Sequence, residues 1–337
     1  MNYVRNAWYV ACWSHELIEG KPFGARILNE SIVLWRSDDR ISALEDRCVH
    51  RLAPLSLGRC EGVNLRCGYH GLLFDREGRV VEIPGQDRIP DIATVRPYPV
   101  IERHGWVWLW MGDFPADEGR LPPLLGLNHP DFQTDCGTLD YAAEARLIND
   151  NLLDLSHVSY LHTGSFGMSE SWARNPPQVT KHHQMVRSER WFKGEGELGK
   201  QAGINAVDTY FRYDFFVPGV LEMAHWTFPT GTADRFGGEQ PPLNARAETF
   251  TSQAVTPVTA KTARYFFVMG IHNSLGRPPD MSIAAGAFKE DKDMIEAQQR
   301  NIDDSPDQAM MPIAGDKGAT LYNRMLNQMV RAERESA

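Results

Sequence analysis

Cys48-Val49-His50 and, after sixteen intervening residues, Cys67-Gly68-Tyr69-His70 form two short arms that each offer one thiol and one imidazole. Two such loops meeting head-on suit a two-iron, two-sulfide cluster, with both sulfur ligands on one iron and both imidazoles on the other. Neutral imidazoles make that iron easier to reduce, so its potential lies above that of an all-cysteine cluster. Arg51-Leu52-Ala53-Pro54 turns the chain after the first arm. Gly68 and Gly71 flank the second, where a missing Cβ lets backbone amides approach the sulfurs. The same four ligands could build a structural zinc site. Zinc sites usually pair like with like, and each arm here is mixed, which favours iron–sulfur while leaving zinc as the alternative.

The segments Cys48 to Leu55 and Cys67 to Leu72 resemble the Rieske motif of the Rieske non-haem iron oxygenases. The rest of the chain can be weighed against that resemblance. Its 337 residues suggest two domains, each able to bury a core without disulfide staples. Of five cysteines the arms use two, and Cys12, Cys60 and Cys136 read as buried thiols in a reducing compartment. The N-terminus lacks a basic stretch followed by an apolar one, and no apolar run of about eighteen residues exists. A cytoplasmic location away from membranes is the expectation. A formal net charge of −9 argues against nucleic acid as a partner.

Residues 1–110 alternate like short strands, within a first domain of residues 1–115. Ala25–Leu28 and Ser31–Trp35 flank Asn29-Glu30, Ile41–Leu44 follows the turn Ser37–Arg40, and Phe74 and Val80-Val81 straddle Asp75–Gly78. Trp106, Trp108 and Trp110 share one face of a strand, which reads as a buried sheet face rather than a ligand platform. Pro, Gly and charge mark residues 116–123 as a linker, and a second domain occupies 124–337.

That domain carries a second constellation. A helix is expected from about Ala142 to His162, bearing Asn151, Asp154, His157 and His162. Asp154 and His157 fall on one helical face. His157 and His162 are five apart, so sharing one metal requires the helix to end or bulge between them. Two histidines on a helix are equally readable as core or surface residues. A further helix spans Ala287 to about Asn301. On it Asp291 lies on the apolar stripe with Ala287, Phe288, Met294 and Ile295, whereas Asp293 keeps the company of Lys289, Glu290 and Glu296 on a solvated face. A carboxylate on an apolar face is costly unless paired or metal-bound, which selects Asp291. His157, His162 and Asp291 together would make the facial triad of a non-haem Fe(II) site.

Gln178–Arg190, Ala206–Val217, Val220–Phe228, Thr249–Val255 and Thr262–Ile271 read as antiparallel strands, and Ala319, Tyr322, Met325, Leu326, Met329 and Val330 as the apolar face of a C-terminal helix. Gly194–Gly199 matches a dinucleotide fingerprint in letters, but its two glutamates would repel a pyrophosphate and no βαβ unit surrounds it. With no plant-type cysteine run either, electrons must come from separate proteins, a ferredoxin or flavin reductase, and NAD(P)H acts only indirectly.

The resemblance to Rieske oxygenases runs from Asn6 through Ile83–Gln86 to the last helix, within the vanillate and dicamba O-demethylase branch. It implies an α+β protein: an all-β Rieske domain, then a helix-grip (START-like) catalytic domain whose curved antiparallel sheet surrounds the C-terminal helix. It implies a [2Fe-2S] cluster on Cys48, His50, Cys67 and His70, mononuclear Fe(II) on His157, His162 and Asp291, and O2 as cosubstrate. Asp154 maps onto the family's bridging aspartate, which links His70 of one subunit to His157 of the next in a homotrimer, and Asn151 is placed to tune the iron site. The expected reaction is O-demethylation of a methoxylated aromatic acid, with ring hydroxylation or N-demethylation as alternatives. An electron-transfer or zinc scaffold is the reading from another class. Met223, His225, Trp226 and Gln253 are candidate pocket residues, each equally readable as core. No basic residue for a substrate acid stands out, since Arg212 and Arg264 read as solvated edges of strands.

Overall fold

The computed structural model describes residues 3–165, 170–194, 207–237, 239–241 and 245–336. Two compact units emerge, one of Tyr3–Leu121 with Thr256–Ala260, the other of Pro122–Val255 with Lys261–Ala337.

The first unit strings together β1 (Trp8–Trp13), β2 (Phe23–Ile27), β3 (Glu30–Ser37), β4 (Arg40–Glu45), β5 (Arg59–Glu61), β6 (Asn64–Arg66), β7 (Leu73–Phe74), β8 (Val80–Glu82), β9 (Val100–Arg103) and β10 (Trp106–Trp110). Among the described residues they form three small antiparallel sheets, ordered β1-β10-β9, β2-β3-β4 and β5-β6-β7-β8. Tight turns set these registers. Leu28 and Asn29 (φ 51° and 70°) join β2 to β3, and Asp38 and Asp39 (φ 51° and 56°) join β3 to β4, the paired left-handed residues that match strand twist. Every residue of β10 is buried, Trp108 completely, so the tryptophan ladder is core on both faces. The stretch read as a linker is stitched onto this unit, for Trp8 Nε1 donates to the Asp117 carbonyl at 2.8 Å and Arg120 Nη1 to the Asn6 carbonyl at 2.8 Å. Thr256–Ala260 joins the unit through backbone amides of Leu28 and Asn29, which donate to the Pro257 and Val258 carbonyls at 2.8 and 2.9 Å.

In the second unit, β11 (Phe132–Tyr141), β12 (Gln178–Lys181), β13 (Met185–Phe192), β14 (Val207–Phe216), β15 (Val220–Pro229), β16 (Ala247–Thr259) and β17 (Thr262–His272) form one antiparallel sheet ordered β11-β17-β16-β15-β14-β13-β12. Sequence periodicity missed β11, which has polar residues at most positions. It also ran β12 and β13 together as one strand, because their hairpin at residues 182–184 contains neither Gly nor Pro and is closed instead by the His182 amide on the Met185 carbonyl at 2.8 Å. The Gly194–Gly199 stretch lies, beyond Gly194, outside the described residues.

Four helices matter to the site: α1 (Ala145–Leu153), α2 (Val158–Leu161), α3 (Met281–Asp304) and the C-terminal α4 (Lys317–Ser336). The sheet grips α4 as expected, with Ala319, Tyr322 and Met325 packed against Val186, Phe211, Tyr213, Phe215 and Leu221. Leu147 and Ile148 of α1 and Ile295 of α3 share a second core with Tyr265 and Phe267. No helix among the described residues is long and apolar enough to cross a membrane.

Gly270 of β17 faces the Phe250 ring so closely that an added Cβ would lie 2.0 Å from Phe250 Cε1. Gly270→Ala should therefore cost about 1–3 kcal/mol through overpacking, read as a lowered urea midpoint with an unchanged m-value.

Candidate metal centres and active-site cavity

In the first unit the two arms are loops. The Cys48 amide donates to the Ala53 carbonyl at 2.8 Å and the Leu52 amide returns to the Cys48 carbonyl at 2.9 Å. The second arm closes likewise, from the Cys67 amide to the Leu72 carbonyl at 2.9 Å. Gly71 sits at φ +77°, and a Cβ on Gly68 would meet the Leu57 carbonyl at 2.8 Å, so both glycines are required by the backbone itself. Cys48 and Cys67 are 1% and 2% exposed, and the Cys48 thiol is pushed up, chiefly by burial. His50 and His70 are exposed, with ring centroids 4.5 Å apart. Paired buried thiols beside paired exposed imidazoles fit the donor set that a [2Fe-2S] cluster with two cysteine and two histidine ligands would take.

In the second unit the expected long helix breaks. Asp154 has extended backbone angles (φ −121°, ψ 101°), and its carboxylate accepts from Ser156 N and Oγ at 2.9 and 3.0 Å, capping a single 3-10 turn, Leu155–His157. α2 then ends at Leu161, leaving His162 as its C-cap. The interruption precedes His157, and a second stop falls at His162. Together they bring two imidazoles five residues apart onto one point, with ring centroids 5.2 Å apart.

Asp291 arrives from α3, 6% exposed in a stripe with Ala284, Ala287 and Ile295. Its Oδ1 lies 3.4 Å from His157 Nε2 and 3.3 Å from His162 Nε2. Ligand atoms of the three residues all lie within 4.8 Å of one another. Metal–ligand bonds of about 2 Å at right angles put adjacent donors about 3 Å apart, so this set could hold one ion facially. Each imidazole is oriented through its other nitrogen. His157 Nδ1 donates to the Asp154 carbonyl at 2.6 Å, which leaves Nε2 as the lone-pair donor. Burial holds His157 in its neutral form, below its ordinary range. The Asp154 contact with His157 is thus through the backbone carbonyl.

Glu290, assigned by periodicity to a solvated face, does the same for His162. Its Oε2 lies 2.8 Å from His162 Nδ1 and accepts a second hydrogen bond, from Ser165 Oγ, at 2.8 Å. The one sequence signal was its place beside Asp291. Asn151 Nδ2 donates to Asp291 Oδ1 at 3.1 Å, steering the carboxylate rather than the imidazoles.

The triad opens onto a cavity of about 190 Å³, walled mainly by apolar side chains such as Leu155, Val158, Phe211, Phe250 and Phe288. Met223, His225 and Gln253 line it. Gln253 is fixed there, its Oε1 accepting from Tyr265 OH at 2.7 Å. Trp226 does not line it. Side chains alternate along β15, so His225 faces inward and Trp226 packs on the other face with Tyr210, Ala224 and Phe228. Arg212 lies over that Trp226 ring at 5.0 Å, and Arg264 is paired with Asp140 at 2.7 Å, so neither reaches the cavity.

Known proteins match this chain along its whole length. Residues 7–99 match the Rieske [2Fe-2S] domain, and residues 141–332 match the vanillate O-demethylase oxygenase C-terminal domain. A putative toluene-4-sulfonate monooxygenase system iron-sulfur subunit from Comamonas testosteroni is 36% identical, with 98% of each chain covered. A vanillate O-demethylase oxygenase subunit from Pseudomonas sp. is 32% identical over 99% of this chain and 97% of its own. Among solved structures, dicamba monooxygenase bound to 3,6-dichlorosalicylic acid superposes with a TM-score of 0.86 at 28% identity, covering 99% of both chains.

Because Glu290 orients His162, Glu290→Ala should weaken Fe(II) binding about 10- to 100-fold in chelator competition while leaving the visible spectrum of the cluster unchanged. Glu290→Gln, which keeps an acceptor, should retain most of the affinity.

Proposed function

The chain belongs to the oxygenase components of multicomponent Rieske non-haem iron systems, and on that premise we propose that it O-demethylates a small methoxylated aromatic acid. The observation that carries the reading is the apolar-walled cavity of about 190 Å³ opening onto His157, His162 and Asp291. Names among the relatives, vanillate and toluene-4-sulfonate, also point to small anionic arenes. We assign the [2Fe-2S] cluster to Cys48, His50, Cys67 and His70, and mononuclear iron to His157, His162 and Asp291. When bound, these groups supply single-electron delivery and O2 activation, with electrons drawn from a separate ferredoxin or reductase.

The balance is one O2, two electrons and two protons for each ether, with one oxygen atom leaving as water. The other enters a methyl C–H bond, and the resulting hemiacetal breaks its methyl carbon–oxygen bond to give formaldehyde and the phenol. The chain's own residues seat the arene and keep water out. Leu155, Val158, Phe211 and Phe288 form dry walls, and Asn151 holds Asp291 in one orientation.

Electron passage between centres is assigned to Asp154, in a homotrimer where His70 of one subunit meets Asp154 of the next. Two features support this: His70 is exposed, and the Asp154 carbonyl holds His157 at 2.6 Å. A cytoplasmic home suits five cysteines that form no disulfide.

Methoxylated benzoates supplied with a reductase should release formaldehyde in step with oxygen consumption; ring-hydroxylated products without formaldehyde would overturn demethylation. Asp291→Ala should abolish turnover and iron binding while the cluster's visible spectrum persists. Asp154→Ala should keep both metals yet stop multiple turnover, and substantial steady-state activity would remove Asp154 from the electron path.

A further inference from the structure

Arg190 on β13 is 7% exposed, and no carboxylate of the described residues forms an ion pair with it. Its Nη1 donates to the Trp172 and Asn175 carbonyls at 3.1 and 3.2 Å, and its guanidinium lies 4.2 Å from the Trp172 ring. The rest of its fork, Nε and Nη2, is buried without a partner. A guanidinium stays charged in proteins, and a buried charge with idle donors is costly until an anion meets it.

Two more buried polar atoms lie on the same face of the sheet, Tyr213 beside the guanidinium and His225 two strands away with Phe211 between them. The Tyr213 hydroxyl is buried beside the Arg190 guanidinium without a well-directed hydrogen bond. His225 Nε2 is also buried and unpartnered, while Nδ1 faces Thr249 Oγ1 at 3.4 Å. Burial, helped by the Arg190 charge, pushes the His225 imidazole down to about 3, so the ring is neutral and adds no second cation. Strand register explains the grouping. Arg190 pairs with Phe211, Phe211 with His225 and His225 with Thr249, one row across four strands, and Tyr213 is two residues from Phe211 on the same face. Tyr213 and Trp172 also wall two neighbouring cavities, the one of about 190 Å³ at the triad and a larger one of about 610 Å³ that Arg190 lines. Asp154 borders the larger cavity too and its charge acts on Arg190 through space, but its carboxylate is hydrogen-bonded by Ser156 and forms no ion pair with the guanidinium.

We propose that Arg190, with Tyr213 OH, is the anion-recognition corner of the substrate site, selecting arenes that carry a carboxylate or sulfonate. The inference rests on the reading that the triad cavity takes an arene, and it names the group that fixes the arene's orientation. An anion would fill the open side of the guanidinium fork, where bidentate geometry favours planar oxyanions.

Calorimetry on the iron-loaded protein, with 4-methoxybenzoate, 4-methoxybenzenesulfonate and the neutral methyl 4-methoxybenzoate as probes, tests this. Wild type should bind an anion more tightly than the ester, and the two anions separate carboxylate from sulfonate preference. Arg190→Met should weaken the preferred anion by about 10- to 100-fold, the scale of a lost charged hydrogen bond, and change the ester less than about threefold. Arg190→Lys should restore part of the loss, and Tyr213→Phe should weaken the anion several-fold. Equal weakening of acid and ester, no weakening, or a wild type that prefers the ester or binds none of the three overturns the proposal. If Arg190→Met loses its cluster spectrum and does not fold, Tyr213→Phe and the wild-type preference decide by the same criteria. Formaldehyde, measured in parallel, keeps the two readings apart: anion binding through Arg190 without formaldehyde supports this corner and overturns demethylation.

Discussion

Asp291 is a carboxylate carried into the protein interior on the apolar stripe of α3, and the catalytic unit is arranged around satisfying it. A buried charge of this kind costs several kcal/mol unless its oxygens find partners. Here Oδ1 takes a hydrogen bond from Asn151 and faces Nε2 of both His157 and His162. Those partners come from three successive pieces of chain, α1, the 3-10 turn after it and the end of α2. The helix must therefore break at Asp154 and stop at His162. An unbroken helix would swing the two imidazoles apart and leave the carboxylate unsatisfied.

A second layer of contacts makes that arrangement rigid. The Asp154 carbonyl and the Glu290 carboxylate each claim one Nδ1, so both imidazoles turn the same nitrogen inward. The sheet supplies the rest by alternation. Along β15, Met223 and His225 face the cavity while Ala224 and Trp226 face away, and the same parity brings Arg190, Tyr213 and Thr249 to the inner face. In the first unit the two arms are held by backbone hydrogen bonds and by the packing of Cys48, Leu55, Cys67 and Leu72 in one buried core. Gly71 takes a left-handed conformation and Gly68 lies against the Leu57 carbonyl, so neither position of the second arm tolerates a Cβ without strain.

The candidate ligand sets are legible in the sequence because each has local spacing or a local cost. Cys48 to His70 is a motif of short arms, and Asp291 was separable from Asp293 because only one of them sits among apolar neighbours at helical spacing. Glu290 was misread by the same reasoning. Periodicity put it on a solvated face, and its role came from His162, which lies 128 residues away. Spacing alone groups Trp226 with His225 and gives no sign that Arg190 points inward, for a related reason: the inward face of a strand depends on register against its neighbours. The hairpin between β12 and β13 escaped notice because it is closed by hydrogen bonds without Gly or Pro.

By itself the sequence determined the two domains' character, the seven metal-ligand candidates and the grip of a sheet on a C-terminal helix, since these follow from spacing, burial cost and periodicity along short stretches of chain. Tertiary structure alone decided where the long helix breaks, which oxygen orients each imidazole, and which strand residues face the cavity. Those outcomes depend on groups far apart in the chain meeting in a low-dielectric interior, where each unpaired donor or charge must find its partner.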